Sequence, residues 1–214
     1  MNNGLLCIAL FCNVFLLVGC GDIGETAIIP RLNEPNGFSL KLSESALERI
    51  NYKVEYDPSY KKIDYPNGDV NKNTGVCTDV VIRSYRTIGI DIQKDLHEDL
   101  AEYFDAYPSK RIWGLNKSDK NIDHRRVPNL KVFFARKGVD LSVTSNPEDY
   151  LPGDLVTWSI SGSPHIGIVV NRKRKGSARH MIVHNIGNGP ELEDMLFRFQ
   201  ITGHYRYYGA LAKE

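Results

Sequence analysis

Cysteine is scarce in this chain of 214 residues and unevenly placed: Cys7, Cys12 and Cys20 fall in the first twenty positions, and only Cys77 lies beyond them. Beyond that first segment a disulfide framework is excluded, because Cys77 has no second thiol to pair with. Net charge is also small, with 27 Lys and Arg against 26 Asp and Glu. That balance argues against a strongly basic nucleic-acid binder and against a highly charged disordered chain. Apolar residues at 42% and charged residues at 25% are ordinary for a globular protein. No internal repeat and no low-complexity tract is present, and long hydrophobic runs are missing after one at the amino end.

That run extends from Leu5 to Val18, interrupted by Asn13, and closes in Leu17-Val18-Gly19-Cys20. It resembles a bacterial lipoprotein signal: small residues precede a cysteine whose thiol would carry a diacylglycerol anchor. A retained spanning helix is the alternative, but the run is shorter than the roughly 20 residues a span needs. The usual Lys or Arg is absent from Met1-Asn2-Asn3-Gly4. Gly21, rather than Asp, follows the cysteine, which in this resemblance implies the outer membrane. The expected layout is a signal peptide over 1–19, a lipidated tether from Cys20 over 20–42, and one domain over 43–214 facing the periplasm. About 195 residues remain after the signal, enough for one sizeable core but not comfortably two.

Within the domain, spacing predicts a short helix from Ser43 to Ile50, then a loop from Tyr56 to Val70 passing close to the cysteine. Helices follow over Cys77 to Ile88, Leu96 to Tyr107 and Pro128 to Lys137, the last with proline in its first turn and Gly138 as its stop. After Asp149 the pattern turns to strands: Leu155 to Trp158, Ile166 to Val170, Met181 to Asn185 and Phe197 to Tyr207. Helices first and strands afterwards is an α+β order. The short intervals between strands predict hairpins and an antiparallel sheet.

Cys77 opens its helix and shares one face with Val81, Ser84 and Ile88, so it is expected to point towards the sheet. The unpaired amides and the dipole of a first turn lower a thiol's pKa and can hold an oxyanion. A buried inert cysteine is the bland alternative. A thiol nucleophile also needs a base, and His165 begins the strand Pro164-His165-Ile166-Gly167-Ile168-Val169-Val170. Gly167 shares its side of the strand and leaves room there for another backbone or a substrate.

The ordered set of a cysteine opening a helix, Pro152-Gly153-Asp154-Leu155-Val156, His165-Ile166-Gly167-Ile168-Val169 and Val183-His184 resembles the NlpC group of papain-like cell-wall peptidases. Gly75-Val76-Cys77-Thr78-Asp79-Val80-Val81, Asn121-Ile122-Asp123-His124-Arg125-Arg126-Val127-Pro128-Asn129 and Val183-His184-Asn185-Ile186-Gly187 resemble the YijF-like family of exported bacterial proteins, over most of the chain from Tyr52 to Tyr208. The resemblance implies a papain-like fold with the nucleophile helix packed on an antiparallel sheet. It also implies a nucleophile at Cys77, a base at His165, and a third polar residue on the next strand. His184 matches that third position; Asn185 is the rival, since neighbouring strand residues face opposite sides.

For substrate contacts the candidates are Arg125 and Arg126, which can grip carboxylates of wall stem peptides, with Asp123 and His124 beside them. The alternative for the arginines is a salt-bridged brace. Asp79 is a candidate for a substrate amine or for complementing the helix start, and Tyr65 for lining the cleft. No metal or other cofactor is expected: Cys77, His165 and His184 are suitable zinc ligands but include no close-spaced pair. The expected activity is that of a lipid-anchored periplasmic cysteine peptidase or amidase acting on peptidoglycan, with no nucleic-acid partner. A non-catalytic binder of wall peptides and an acyl or peptide transferase using the same cysteine are the alternatives.

Overall fold

The computed structural model describes residue 1 and residues 35–209. The stretch expected to be a signal, apart from Met1, most of the expected tether and Cys20 lie outside the described residues. Five α-helices and eight strands are described: α1 Gly37–Arg49, β1 Glu55–Tyr56, β2 Thr74–Gly75, α2 Cys77–Thr87, α3 Ile92–Glu102, α4 Ser109–Trp113, α5 Val127–Lys137, β3 Val139–Leu141, β4 Leu155–Ile160, β5 Ser163–Lys173, β6 His180–His184, β7 Glu191–Glu193 and β8 Gln200–Arg206. Strands β3 to β8 form one six-stranded sheet in the order β3-β8-β4-β5-β6-β7, every pair antiparallel. β1 and β2 make a separate two-residue parallel pair.

The first helix starts earlier than expected. Asn36 caps it by accepting the Ser39 N–H at 2.8 Å, so residues 37–42, read as tether, are helical. Two polar anchors hold α1 to its neighbours: Ser45 donates to the Ser84 carbonyl of α2, and the Ser43 hydroxyl accepts the Asn171 amide of β5. The third helix is shifted, because Asp91 caps it at Gln93 and begins it at Ile92, four residues before the expected start at Leu96. It ends at Glu102 in a short 3-10 turn.

α2 is buried nearly all round and sits between the other helices and the sheet. The sheet is two-sided. Leu155, Ile166, Ile168, Val170 and Val183 join Val81, Leu42 and Phe134 in the main core. Val156, Trp158, Val169 and Ile182 turn the other way, into a smaller core closed by Tyr150, Met195 and Leu196. This is the period-two alternation of strands buried on both faces. The α+β architecture, with the cysteine-bearing helix laid on an antiparallel sheet, is the one the sequence implies. A buried network braces the sheet from within: the Asp154 carboxylate accepts from His204 Nε2 at 2.8 Å and from Arg206 Nε at 2.6 Å.

Candidate active site

The cysteine's place is fixed by the helix start. Val76 is extended, and its N–H donates to the Asp79 carboxylate at 2.7 Å, which satisfies one orphan amide of the first turn. Asp79 is held in turn by Arg125, whose Nε and Nη2 both reach it at 3.0 Å. Arg125 also donates to the carbonyls of Asp57 and Ser59. Both side chains are buried. Asp79 and Arg125 therefore act as a buried structural clamp joining the helix start to the preceding loop, the alternative reading of both residues, although Arg125 also lines the cleft.

The Cys77 sulfur lies near β5, where the backbone N–H of Ile166, one residue along from His165, acts to lower its pKa. Burial pushes its thiol up to about 11, against the lowering influence of that amide and of the Thr78 and Cys77 amides, with Asp79 also raising it. The expected acidic thiol is thus overturned in the free protein: desolvation of a sulfur only 5% exposed outweighs the helix start. No hydrogen bond joins the sulfur to an imidazole among the described residues.

His165 and His184 do meet. His165 Nε2 and His184 Nδ1 are 3.1 Å apart, with the rings edge to face, and His184 Nε2 is 3.1 Å from a carboxylate oxygen of Glu193 on β7. Gly167 makes this possible. A Cβ there would stand 2.7 Å from Ile182 Cγ2 and 3.1 Å from His184 Cβ, so the space above Gly167 is taken by the neighbouring strand's side chains rather than by substrate. Asn185 faces the opposite way: its carbonyl accepts the Gly187 and Gly189 amides, and it makes no contact with His165.

The proton arrangement in this chain follows from its end. A carboxylate has only acceptors, so His184 Nε2 carries the hydrogen and its Nδ1, in the neutral ring, accepts. His165 Nε2 must then donate, which leaves the Nδ1 lone pair of His165 free. Burial holds both rings neutral: His165 is lowered to about 3, by desolvation and then by His184, and His184 is lowered by desolvation against the pull of Glu193.

Cys77 opens on a cleft of about 510 Å³ whose walls include Tyr56, Trp113, Arg126 and Pro164. Arg126 lies flat over the Trp113 ring at 4.0 Å and pairs with Asp123 at 3.1 Å. It is the one member of the predicted basic motif that reaches this cleft with a partly exposed side chain. Asp123 is buried, accepting the Asp119 amide as well, and desolvation raises it to about 6. His124 is 2% exposed, and burial, then Arg125, lowers it to about 3. Neither can touch a substrate. Tyr65 is also displaced from the cleft: it packs edge to face on His97, with Lys120 over its ring. Tyr56, read only as the start of a loop, stands there instead, its phenol raised by burial and by Cys77. Glu193 carried no signal, since glutamate is depleted in strands.

A family model described as a domain of unknown function (DUF1287) matches residues 43–207. The chain belongs to the DUF1287 family. A relative of this DUF1287 chain, the uncharacterized protein YijF of Escherichia coli (strain K12), is 44% identical over 174 residues, covering 79% of this chain and 82% of that protein. The YijF-like resemblance of the ordered motifs is therefore real kinship. Two solved structures are similar in outline. NlpC1 from Trichomonas vaginalis has a TM-score of 0.42 at 13% identity, covering 84% of this chain and 48% of its own. NlpC2 from the same organism has a TM-score of 0.40 at 14% identity, covering 83% and 50%. The DUF1287 chain spans about half the length of these two structures.

Proposed function

We propose that this DUF1287 protein is a cysteine hydrolase that cleaves an amide bond, with Cys77 as nucleophile, His165 as general base and His184 as the residue that orients it. The observation that carries this reading is the 3.1 Å contact between His165 Nε2 and His184 Nδ1, continued to Glu193. It leaves the other nitrogen of His165 as a proton acceptor at the start of the strand whose next amide acts on the Cys77 thiol.

Burial raises the thiol and lowers the imidazole, which favours a neutral pair in this reading, with proton transfer accompanying attack instead of preceding it. Cys77 Sγ bonds to the carbonyl carbon while its proton passes to His165 Nδ1. The amide C–N bond then breaks, and the amine leaves with that proton. Water attacks the thioester, giving one proton to His165, and the sulfur departs and is reprotonated. Sulfur and imidazole need to draw together as substrate fills the cleft, as hydrogen bonds that are loose in free enzymes commonly do. The Cys77 and Thr78 amides at the helix tip, and the Tyr56 phenol, are the donors available to the oxyanion.

Among amides, peptidoglycan is the substrate this reading favours. Arg126, flattened on Trp113, offers a planar fork to a carboxylate, and wall peptides carry carboxyl groups beside their amide bonds. The signal-like segment ending at Cys20 supports placement on the periplasmic side through a lipid, probed by fatty-acid labelling that Cys20→Ala should abolish. Purified murein incubated with the protein is expected to release new muropeptides, and Cys77→Ala to release none. An unchanged wild-type digest would refute the hydrolase reading. The burial of the thiol favours one alternative, a cleft that binds wall peptides without cutting them; retained murein binding with no products would identify it.

A further inference from the structure

A second, smaller cavity, of about 240 Å³, lies behind Val76 and has no part in the chemistry above. Four cationic side chains line it, Arg49 from α1, Lys72 from the loop before β2, and Arg83 and Arg86 from α2, against the carboxylates of Asp69 and Asp79. Asp79 is already committed to Arg125. Asp69 is shared, lying 3.0 Å from Arg83 and 3.0 Å from Arg86. Arg49 has only a distant acid, Glu48 at 3.9 Å, and rests over the Tyr52 ring. Lys72 has no acidic partner among the described residues. The Nε atoms of both Arg49 and Arg86 are buried without a hydrogen-bond partner.

Positive charge is therefore in excess around a partly open space with an apolar floor of Val54 and Val80. An unmet buried donor costs about 1–3 kcal/mol, and more when charged, so such groups point to a bound partner. We infer that this cavity is a binding site for a phosphoryl group. Arg83 is committed to Asp69 and to the Val70, Asn71 and Thr74 carbonyls, which leaves Arg49, Lys72 and Arg86, from three elements, to meet a ligand. Such a set suits a tetrahedral oxyanion that accepts from several directions, whereas a planar carboxylate would be satisfied by one guanidinium fork. The volume is below the ~300 Å³ of the smallest drug-sized pockets and matches a compact group. Free phosphate and a phospholipid headgroup share this chemistry.

The test titrates inorganic phosphate into the full chain by calorimetry and, in a second arm, measures sedimentation with phosphatidylglycerol vesicles against phosphatidylcholine vesicles. Each arm uses the wild type and the double variant Arg49→Gln/Lys72→Gln, which removes two charges that hold no backbone group. Saturable phosphate binding weakened at least about tenfold in the variant supports a free phosphate or phosphate-ester ligand. A phosphatidylglycerol preference lost in the variant, without phosphate binding, supports the headgroup. No binding in either arm, or binding that the variant leaves unchanged, overturns the inference. None of these outcomes depends on whether Cys77 is catalytic.

Discussion

At the scale of single residues, Glu193 decides which proton sits where. Its carboxylate fixes the His184 tautomer, and His184 fixes His165. In Glu193→Gln either end of the amide can face the ring, so the arrangement that frees His165 Nδ1 is no longer enforced. We expect kcat for wall-peptide cleavage to fall about 10- to 100-fold, as for lost outer-layer partners of catalytic histidines, with KM and thermal stability little changed. A fall in stability matching the loss of rate would instead mean a merely structural carboxylate. His124 makes a second prediction. Its folded pKa of about 3 lies below the ordinary 6.5, so the unfolded chain binds the proton more readily between those values. Stability is then fully present above pH 6.5 and is lost as pH falls towards 3, with a slope of up to about 1.4 kcal/mol per pH unit from this residue. His165 adds the same sign. Asp123, raised to about 6, works the other way between its ordinary 3.8 and that value. Urea unfolding from pH 7 to 4 should be less steeply pH-dependent in His124→Gln than in the wild type; parallel curves would contradict the assignment.

At the scale of elements, the site depends on how closely β5 and β6 approach and on how α2 begins. Gly167→Ala places a methyl 2.7 Å from Ile182 Cγ2 and 3.0 Å from the Val183 carbonyl, so the strands must part. Overpacking of this kind costs about 1–3 kcal/mol and displaces His184, and an assay should show activity falling further than the melting temperature accounts for. Asp79→Asn removes one charge of a buried pair and weakens the Val76 cap, for an expected loss of about 3–5 kcal/mol in denaturant unfolding. A loss below 1 kcal/mol would mean the clamp is not needed. The helices α2 and α5 and the core strands β4, β5 and β6 were legible in the sequence because periodicity, Pro128, Gly138 and β-branched runs mark them locally. β3 and β7, three residues each, were not, since their place comes from pairing with β8 and β6 rather than from propensity. The catalytic candidates were legible as ordered motifs. The roles of Asp79 and Arg125 were legible only as one of two readings each, and the burial of Asp123 and His124 was not legible, because a sequence does not tell a charge that faces a cleft from one folded inward against its partner.

At the scale of the whole molecule, two cores on opposite sides of one sheet set the site at its end. The main core holds α2 and its cysteine, and the face carrying Trp158 and Ile182 is the one onto which His165 and His184 alternate. The sulfur thus lies on the α2 side of β5 and the imidazole on the other, at neighbouring positions along the strand but not in contact. Burial on the α2 side raises the thiol's pKa, and the proposed mechanism requires that its reactivity depend on His165. The most direct test is the rate at which iodoacetamide alkylates Cys77 at pH 7.5, compared between the wild type and His165→Gln at matched folded fraction and read by intact-protein mass spectrometry. The account predicts that the variant reacts at least about tenfold more slowly, the lower range expected for loss of a general base. Equal rates would show that the histidine does not take the proton of this cysteine.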